Sequence, residues 1–259
     1  LMWSATYAGT TTDQDVASEV ALDSAGNVYV AGTSGTAYAL LKYNSSGVRQ
    51  WVQRFQDTVT GYSSVSGLAL DGSGNIIVTG TSAANDSAAT DIVTIKYSSL
   101  GAQQWLYRYT STGGRNEIAN AIKCDSLGNV VVAGTAWDPL TDFDMLLLKI
   151  SPTGTKLWEQ RYNGPGVWDE GTALAVQNGT NAIVLAGFSQ GYWVTQKFTS
   201  AGVRSWTVEE PAGWWDVSPV AVGIDGTGSI VVCGYQDMVE GAYFYDMGVI
   251  KYGSDGSHQ

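Results

Sequence analysis

The sequence predicts an all-β chain, a five-bladed β-propeller with four antiparallel strands per blade. Three observations predict it. One phrase recurs five times along the 259 residues, each recurrence carries four short alternating segments, and the half-unit missing from the last repeat stands at the start. Self-similarity at a fixed period marks a repeat architecture, and four short strands per unit are the mark of a propeller blade.

The phrase runs ALDSAGNVYVAGT (21–33), ALDGSGNIIVTGT (69–81), KCDSLGNVVVAGT (123–135), AVQNGTNAIVLAG (175–187) and GIDGTGSIVVCG (223–234). A second phrase follows each time, carrying Lys42, Lys96, Lys149, Lys197 or Lys251. It continues into an outer segment with a tryptophan, except after VIKYGSDGSHQ, which ends at Gln259. LMWSATYAG at 1–9 matches that outer segment, with Trp3 and Tyr7 in the slots of Trp51 and Phe55, Trp105 and Tyr109, and Trp158 and Tyr162. Joining Gln259 to Leu1 restores a full repeat with two extra residues. A linear solenoid has no reason to store half a unit at its start. A closed ring does, because the outermost strand then ties the first and last blades together. The expectation is one domain over 1–259, with blades about 16–57, 64–110, 117–163, 170–211 and 217–259 plus 1–9. Residues 1–8 are expected as the outermost strand of the last blade, beside about 243–252.

Within blade one the strands fall at about 16–22, 27–33, 37–43 and 48–55. Asp-x-x-Gly-Asn between the first two is a tight turn, where Asp bonds the following backbone and Gly supplies a positive φ. Trp51 and Phe55 lie four apart, so a strand puts both on one face. The repeat tryptophans Trp3, Trp51, Trp105, Trp158 and Trp206 therefore read as core packing. The repeat lysine reads as a side chain snorkelling from a strand end toward an acidic neighbour. Cys124 and Cys233 fill core slots of non-adjacent blades and read as free buried thiols. Trp193 falls inside a strand and reads as core.

These residues resemble the bacterial SBBP β-propeller repeat family. Asp91 to Gly101 (DIVTIKYSSLG), Asp144 to Gly154 (DMLLLKISPTG) and Asp23 to Gly32 follow its pattern, while Asn178, Gly179 and Ser229 depart from the Gly-Asn turn. The resemblance spans essentially the whole chain. It implies a propeller in a secreted or cell-surface bacterial protein and implies no activity, because a fold does not specify a function.

Composition removes several function classes. A net charge of -11 repels phosphate backbones, which argues against nucleic acid. No apolar run reaches the ~18 residues of a membrane helix, so membrane insertion is not expected. No basic stretch followed by an apolar one opens the chain, so no signal peptide is expected within it. His258 is the only histidine, which leaves Ser-His-Asp and Cys-His mechanisms without a base and zinc with too few ligands.

Topology narrows the search for a site. The connections between strands two and three, and from blade to blade, vary in length and content, as binding loops on a rigid scaffold do. They carry Trp137 and Asp138, Trp168, Asp169 and Glu170, and Trp214, Trp215 and Asp216. Tryptophans beside carboxylates suit a sugar, whose ring stacks on an indole while carboxylates accept its hydroxyl protons. A neighbouring protein, or another copy of the chain, is the other partner such a face suits. The acids Asp15, Glu117, Glu170 and Asp216 recur at the inner-strand entrances and are candidates to ring the central channel. Oxygen ligands converging there suit Ca²⁺, although no D-x-D-x-D-G loop is present; no other cofactor is expected. The expectation drawn from this frame is a non-catalytic extracellular interaction module or self-assembling scaffold. A lectin-like carbohydrate binder is the alternative, and a glycoside hydrolase using two of the ring acids is a further one.

Overall fold

The computed structural model describes residues 2–9, 14–57, 61–85, 89–112, 114–212, 218–236 and 246–259, and none of these is helical. Sheet one holds β1 (Asp15–Leu22), β2 (Val28–Ser34), β3 (Ala37–Tyr43) and β4 (Arg49–Phe55). Sheet two holds β5 (Tyr62–Leu70), β6 (Ile76–Ala83), β7 (Asp91–Tyr97) and β8 (Gln103–Tyr109). Sheet three holds β9 (Glu117–Cys124), β10 (Val130–Asp138), β11 (Asp142–Ile150) and β12 (Lys156–Tyr162). Sheet four holds β13 (Asp169–Val176), β14 (Ile183–Ser189), β15 (Tyr192–Phe198) and β16 (Arg204–Pro211). Sheet five holds β17 (Ser218–Ile224), β18 (Ile230–Gln236) and β19 (Asp246–Tyr252). Within each sheet every strand pairs antiparallel with the next in sequence.

The repeated phrase makes the first hairpin of each sheet. Asp23, Asp71, Asp125 and Asp225 each accept, through Oδ1, the backbone N–H groups two and four residues on. This locks the turn before either strand is packed. The glycine of the second strand has a different reason. A Cβ on Gly32, Gly80, Gly134, Gly187 or Gly234 would stand 1.9–2.1 Å from a carbonyl oxygen of the adjoining inner strand. Each inner strand bulges opposite that glycine, so Ser18, Ser66, Asn120, Thr172 and Val220 fall outside the ladder. Ser66, Asn120, Thr172 and Val220 line a channel of about 280 Å³ that also takes Glu19 from β1.

Sheets stack face to face through four apolar cores, one at each seam from sheet one to sheet five. A repeated joint reinforces each seam. The outer-strand indole lies on the glycine of the next sheet's second hairpin, Trp51 on Gly101, Trp105 on Gly154, Trp158 on Gly202 and Trp206 on Gly256. Its Nε1 donates to a carbonyl of that hairpin at 2.9–3.3 Å. The repeat lysine donates to the same carbonyl, as Lys149 does to Ser200 O at 2.9 Å. It does not snorkel in the middle of the molecule. Lys96 and Lys149 are almost wholly buried, 2.8 and 2.9 Å from Asp71 and Asp125, whose turns place the counter-charge. Trp193 is fully buried, as expected. Cys124 and Cys233 are free and half-buried, and burial pushes the Cys124 thiol up to about 12.

The seam between sheets five and one differs from the expectation. Residues 2–9 form no strand, and β19 has no partner among the named strands besides β18. Leu1 and 243–245 lie outside the described residues. Trp3 stacks on Tyr43, with ring centroids 5.9 Å apart, and covers Gly47. Together with Tyr7 it packs on Ala39, Leu41 and Tyr43. The segment thus makes its contact with sheet one and not the pairing with sheet five. The packing of Trp3 on sheet one is local and is made without that pairing.

Candidate functional site

The variable face of sheets three and four gathers most of the expected site residues. Asp142 turns the chain at φ 65, and the following Phe143 bridges to Trp168 in parallel fashion. Their ring centroids are 4.2 Å apart with planes inclined by 39°. This platform is 38% exposed at Trp168, enough to offer an indole face to a ligand. Glu170, at the start of β13, holds the platform to the channel. Its Oε2 accepts the Trp168 indole N–H at 3.2 Å, and its Oε1 accepts Asn120 Nδ2–H at 2.8 Å. Asn120 also donates to Gly171 O at 3.0 Å and lines the channel itself. An ionised carboxylate has about four acceptor positions, so this oriented group keeps acceptor capacity for a ligand.

Trp137 and Asp138 lie beside this cluster with different roles. The Arg115 guanidinium sits 5.3 Å from the Trp137 ring centroid. Arg161 donates to Trp137 O at 3.2 Å and approaches Asp144 and Asp138 at 3.5 and 3.8 Å. Asp138 also lines a groove of about 490 Å³ with Tyr107, Tyr109, Ser111, Glu159 and Arg161. Trp214, Trp215 and Asp216 lie outside the described residues.

Of the acids expected to ring the channel, Asp15, Glu117 and Glu170 lie among the described residues and make other contacts. Asp15, Glu117 and Asp169 share one ladder position, and Glu170 is one residue further on. Asp15, Glu117, Asp169 and Glu170 do not line the channel. Each acid in the shared position ties the incoming connection to its sheet. Asp15 accepts from Gly9 N at 2.9 Å, Asp169 from Gly164 N at 2.6 Å, and Glu117 from Ser111 Oγ. Their environments set their charge. The hydrogen bond from Ser34 and that from Gly9 hold Asp15 below the usual carboxylate range. Burial pushes Asp169 up, and burial pushes Glu117 up to about 7. Among the described residues no group of three or more His, Cys, Asp and Glu is placed to hold a metal ion.

Sequence reasoning missed Asn120 and Phe143. Asn120 had a signal: a polar residue in an apolar inner strand, at the bulge that turns it toward the channel. Phe143 had none, because its pairing with Trp168 depends on the turn at Asp142.

Solved structures share the fold across most of the chain. A protein of unknown function from Bacteroides caccae is 13% identical with a TM-score of 0.56, over 94% of this chain and 80% of its own. A calcium-binding protein, regucalcin, from Agrobacterium tumefaciens is 11% identical with a TM-score of 0.50, over 96% and 74%. The polysaccharide lyase Uly1 is 9% identical with a TM-score of 0.52, over 90% and 56%. At such identity the likeness is one of fold. It nevertheless corrects the expectation of a non-catalytic module, which rested on the uniform frame, the lack of a catalytic base and aromatic residues placed where loops vary. The same frame carries a lyase, so uniformity does not mark a chain without activity. No curated protein matches the sequence. The family match is at the start of the chain, where residues 5–36 match SBBP, the beta-propeller repeat.

Proposed function

We propose that this chain is an enzyme acting on a carbohydrate at the mouth of the central channel, with Glu170 as its working carboxylate. The observation that carries the reading is the setting of Glu170, oriented by Trp168 on one oxygen and Asn120 on the other. The exposed Trp168 face takes the apolar side of a sugar ring. Glu170 then lies within reach to accept a proton from a sugar hydroxyl or a water, as a general base does. No ion enters this proposal. The reading takes the five sheets as five blades of one domain, closed into a ring around the channel. It also places the protein outside the cell or on its surface, in keeping with the SBBP repeat.

The test is turnover of a panel of neutral and acidic polysaccharides, read as new chain ends. Glu170→Gln keeps the side chain's shape and one of its two accepted hydrogen bonds, and removes the base. It is expected to lower turnover about 10²- to 10⁴-fold while binding persists. Unchanged turnover in that variant, or a wild-type protein that binds without turning over, contradicts the reading.

A further inference from the structure

We infer that Arg115 is a recognition residue for an anionic group, a carboxylate or a sulfate ester, on a sugar at the far end of the Trp168 platform from Glu170. The inference rests on the carbohydrate reading above and names the substrate class, an acidic polysaccharide.

The ladder lines up the residues in between. Trp137 on β10 pairs with Phe143 on β11, and Phe143 bridges to Trp168. Opposed residues of paired strands project from one face, so the three rings form one aromatic row. Neighbouring strands lie about 4.8 Å apart, which makes the row about 10 Å long from Trp137 to Trp168. That is longer than one sugar ring. The row ends in opposite charges. Glu170 holds the Trp168 end by accepting its indole N–H, and the Arg115 guanidinium lies over the Trp137 ring at the other end, 5.3 Å from its centroid.

The surroundings of Arg115 leave it free for a ligand. It is exposed, and among the described residues it makes no hydrogen bond or ion pair. The outer-strand arginines are different. Arg54 donates to Ser34 Oγ at 2.6 Å, Arg108 to Asp57 and Asp91 at 2.7 Å, and Arg161 to Tyr109 Oη at 2.7 Å. A guanidinium resting on a ring spends no N–H on that contact, so the donors of Arg115 remain for an oxyanion, which two of them can grip side by side. The contact with Trp137 fixes where those donors stand. Trp137 is therefore a positioning residue, and Trp168 is the stacking face. The nearby acids are occupied. Asp138 accepts from Leu140 N at 2.9 Å and faces Arg161, and Glu117 is buried against Ser111. Nor does the repeat require an arginine here. The sequence has Asp13, Gly61 and Val167 two residues before the same ladder position of sheets one, two and four. In a chain of net charge -11, a local cation is what admits an acidic polymer.

The experiment is equilibrium binding of polygalacturonate, polyglucuronate and alginate, each beside its carboxyl-reduced form, and of a sulfated galactan beside its desulfated form. The wild-type protein is expected to bind at least one acidic polymer about 10- to 100-fold more tightly than its neutral form, the range of a charge-assisted hydrogen bond. Preference for a uronate assigns a carboxylate, and preference for the galactan assigns a sulfate ester. Arg115→Ala is expected to remove the preference and leave affinity for the neutral form unchanged. Arg115→Lys, which keeps the charge and loses the fork, is expected to recover part of it. Trp137→Ala should lower the preference too, and Trp137→Phe should restore most of it. An unchanged unfolding midpoint shows that the Arg115 variants, altered at the surface, are folded. Equal affinity for acidic and neutral forms, or a preference that survives Arg115→Ala, overturns the inference. Binding is read without turnover, so that failure leaves the Glu170 reading standing. Binding of no polysaccharide at all overturns both.

Discussion

The seam between sheets three and four and the seam between sheets five and one are written with the same repeat and end in opposite states. At the first, Trp158 lies on Gly202, Lys149 reaches Ser200 O, and Met145 and Leu147 are sealed against Leu174 and Leu185. At the second, Trp3 has reached Gly47, but Lys251 and Met247 remain in solvent. The side chains are of one kind, so it is the presence of a packed neighbour that decides their burial. In the half-made joint the indole on the glycine turn needs only one sheet, and the lysine and apolar face need both.

The largest predicted effect is at the turn aspartates. Asp125→Ala leaves Lys149 buried without its counter-charge and is expected to cost about 3–5 kcal/mol in chemical denaturation. Asp225→Ala at sheet five, whose partner Lys251 is half exposed and 3.8 Å away, is expected to lower the midpoint as Asp125→Ala does once the fifth seam is shut over the pair. An unchanged midpoint at Asp225 would contradict a shut seam.

Next in size is the apolar face. Leu147→Ala is expected to cost about 2–5 kcal/mol. Val249→Ala is expected to cost about 1–2 kcal/mol once the fifth seam is shut, and nothing while it is open. A smaller effect separates the ends of the pH scale. At Asp125 burial opposes ionisation, yet the hydrogen bonds from Lys149 and Asn129 outweigh it and hold the carboxyl below its usual range. Its contribution is present above the ordinary aspartate pKa of about 4 and is lost as pH falls through the folded value. Glu117 has the opposite sign, because burial raises it to about 7. Its contribution is complete below the ordinary glutamate pKa of about 4.3 and is lost as pH rises through about 7. Glu117→Gln should therefore raise Tm at pH 8 and leave it little changed at pH 4. The smallest effect on stability belongs to the site. Trp168→Ala, which removes a partly exposed ring stacked on Phe143, is expected to cost about 1 kcal/mol while abolishing carbohydrate binding, which calorimetry on the same preparation can check.

Much of the frame was legible because each repeat writes its own reasons. The Asp-x-x-Gly-Asn turn, the second-strand glycine and the outer tryptophan act within a hairpin or between adjacent hairpins, so strands 15–22, 28–34, 37–43 and 49–55 fall close to where periodicity puts them. The acidic neighbour of the lysine was legible, but its burial was not, because that depends on the next sheet, whose carbonyl it reaches about 57 residues away. The candidate site was legible in its residues and not in its wiring. Trp168 and Glu170 stand out as a tryptophan beside an acid, but whether Asp169 or Glu170 takes the ladder position shared with Asp15 and Glu117 depends on the register of β13 against β14. A one-residue difference there sends one acid into the interior and leaves the other beside the channel.

The most direct test of the closed seam is amide hydrogen exchange on the unmodified chain, comparing residues 3–7 and 246–252 with β11 and β12. A fourth strand in place protects both segments to the level of β11 and β12, because their N–H groups share one ladder. Full exchange of residues 3–7 at the rate of unstructured peptide, with β11 and β12 still protected, would contradict it.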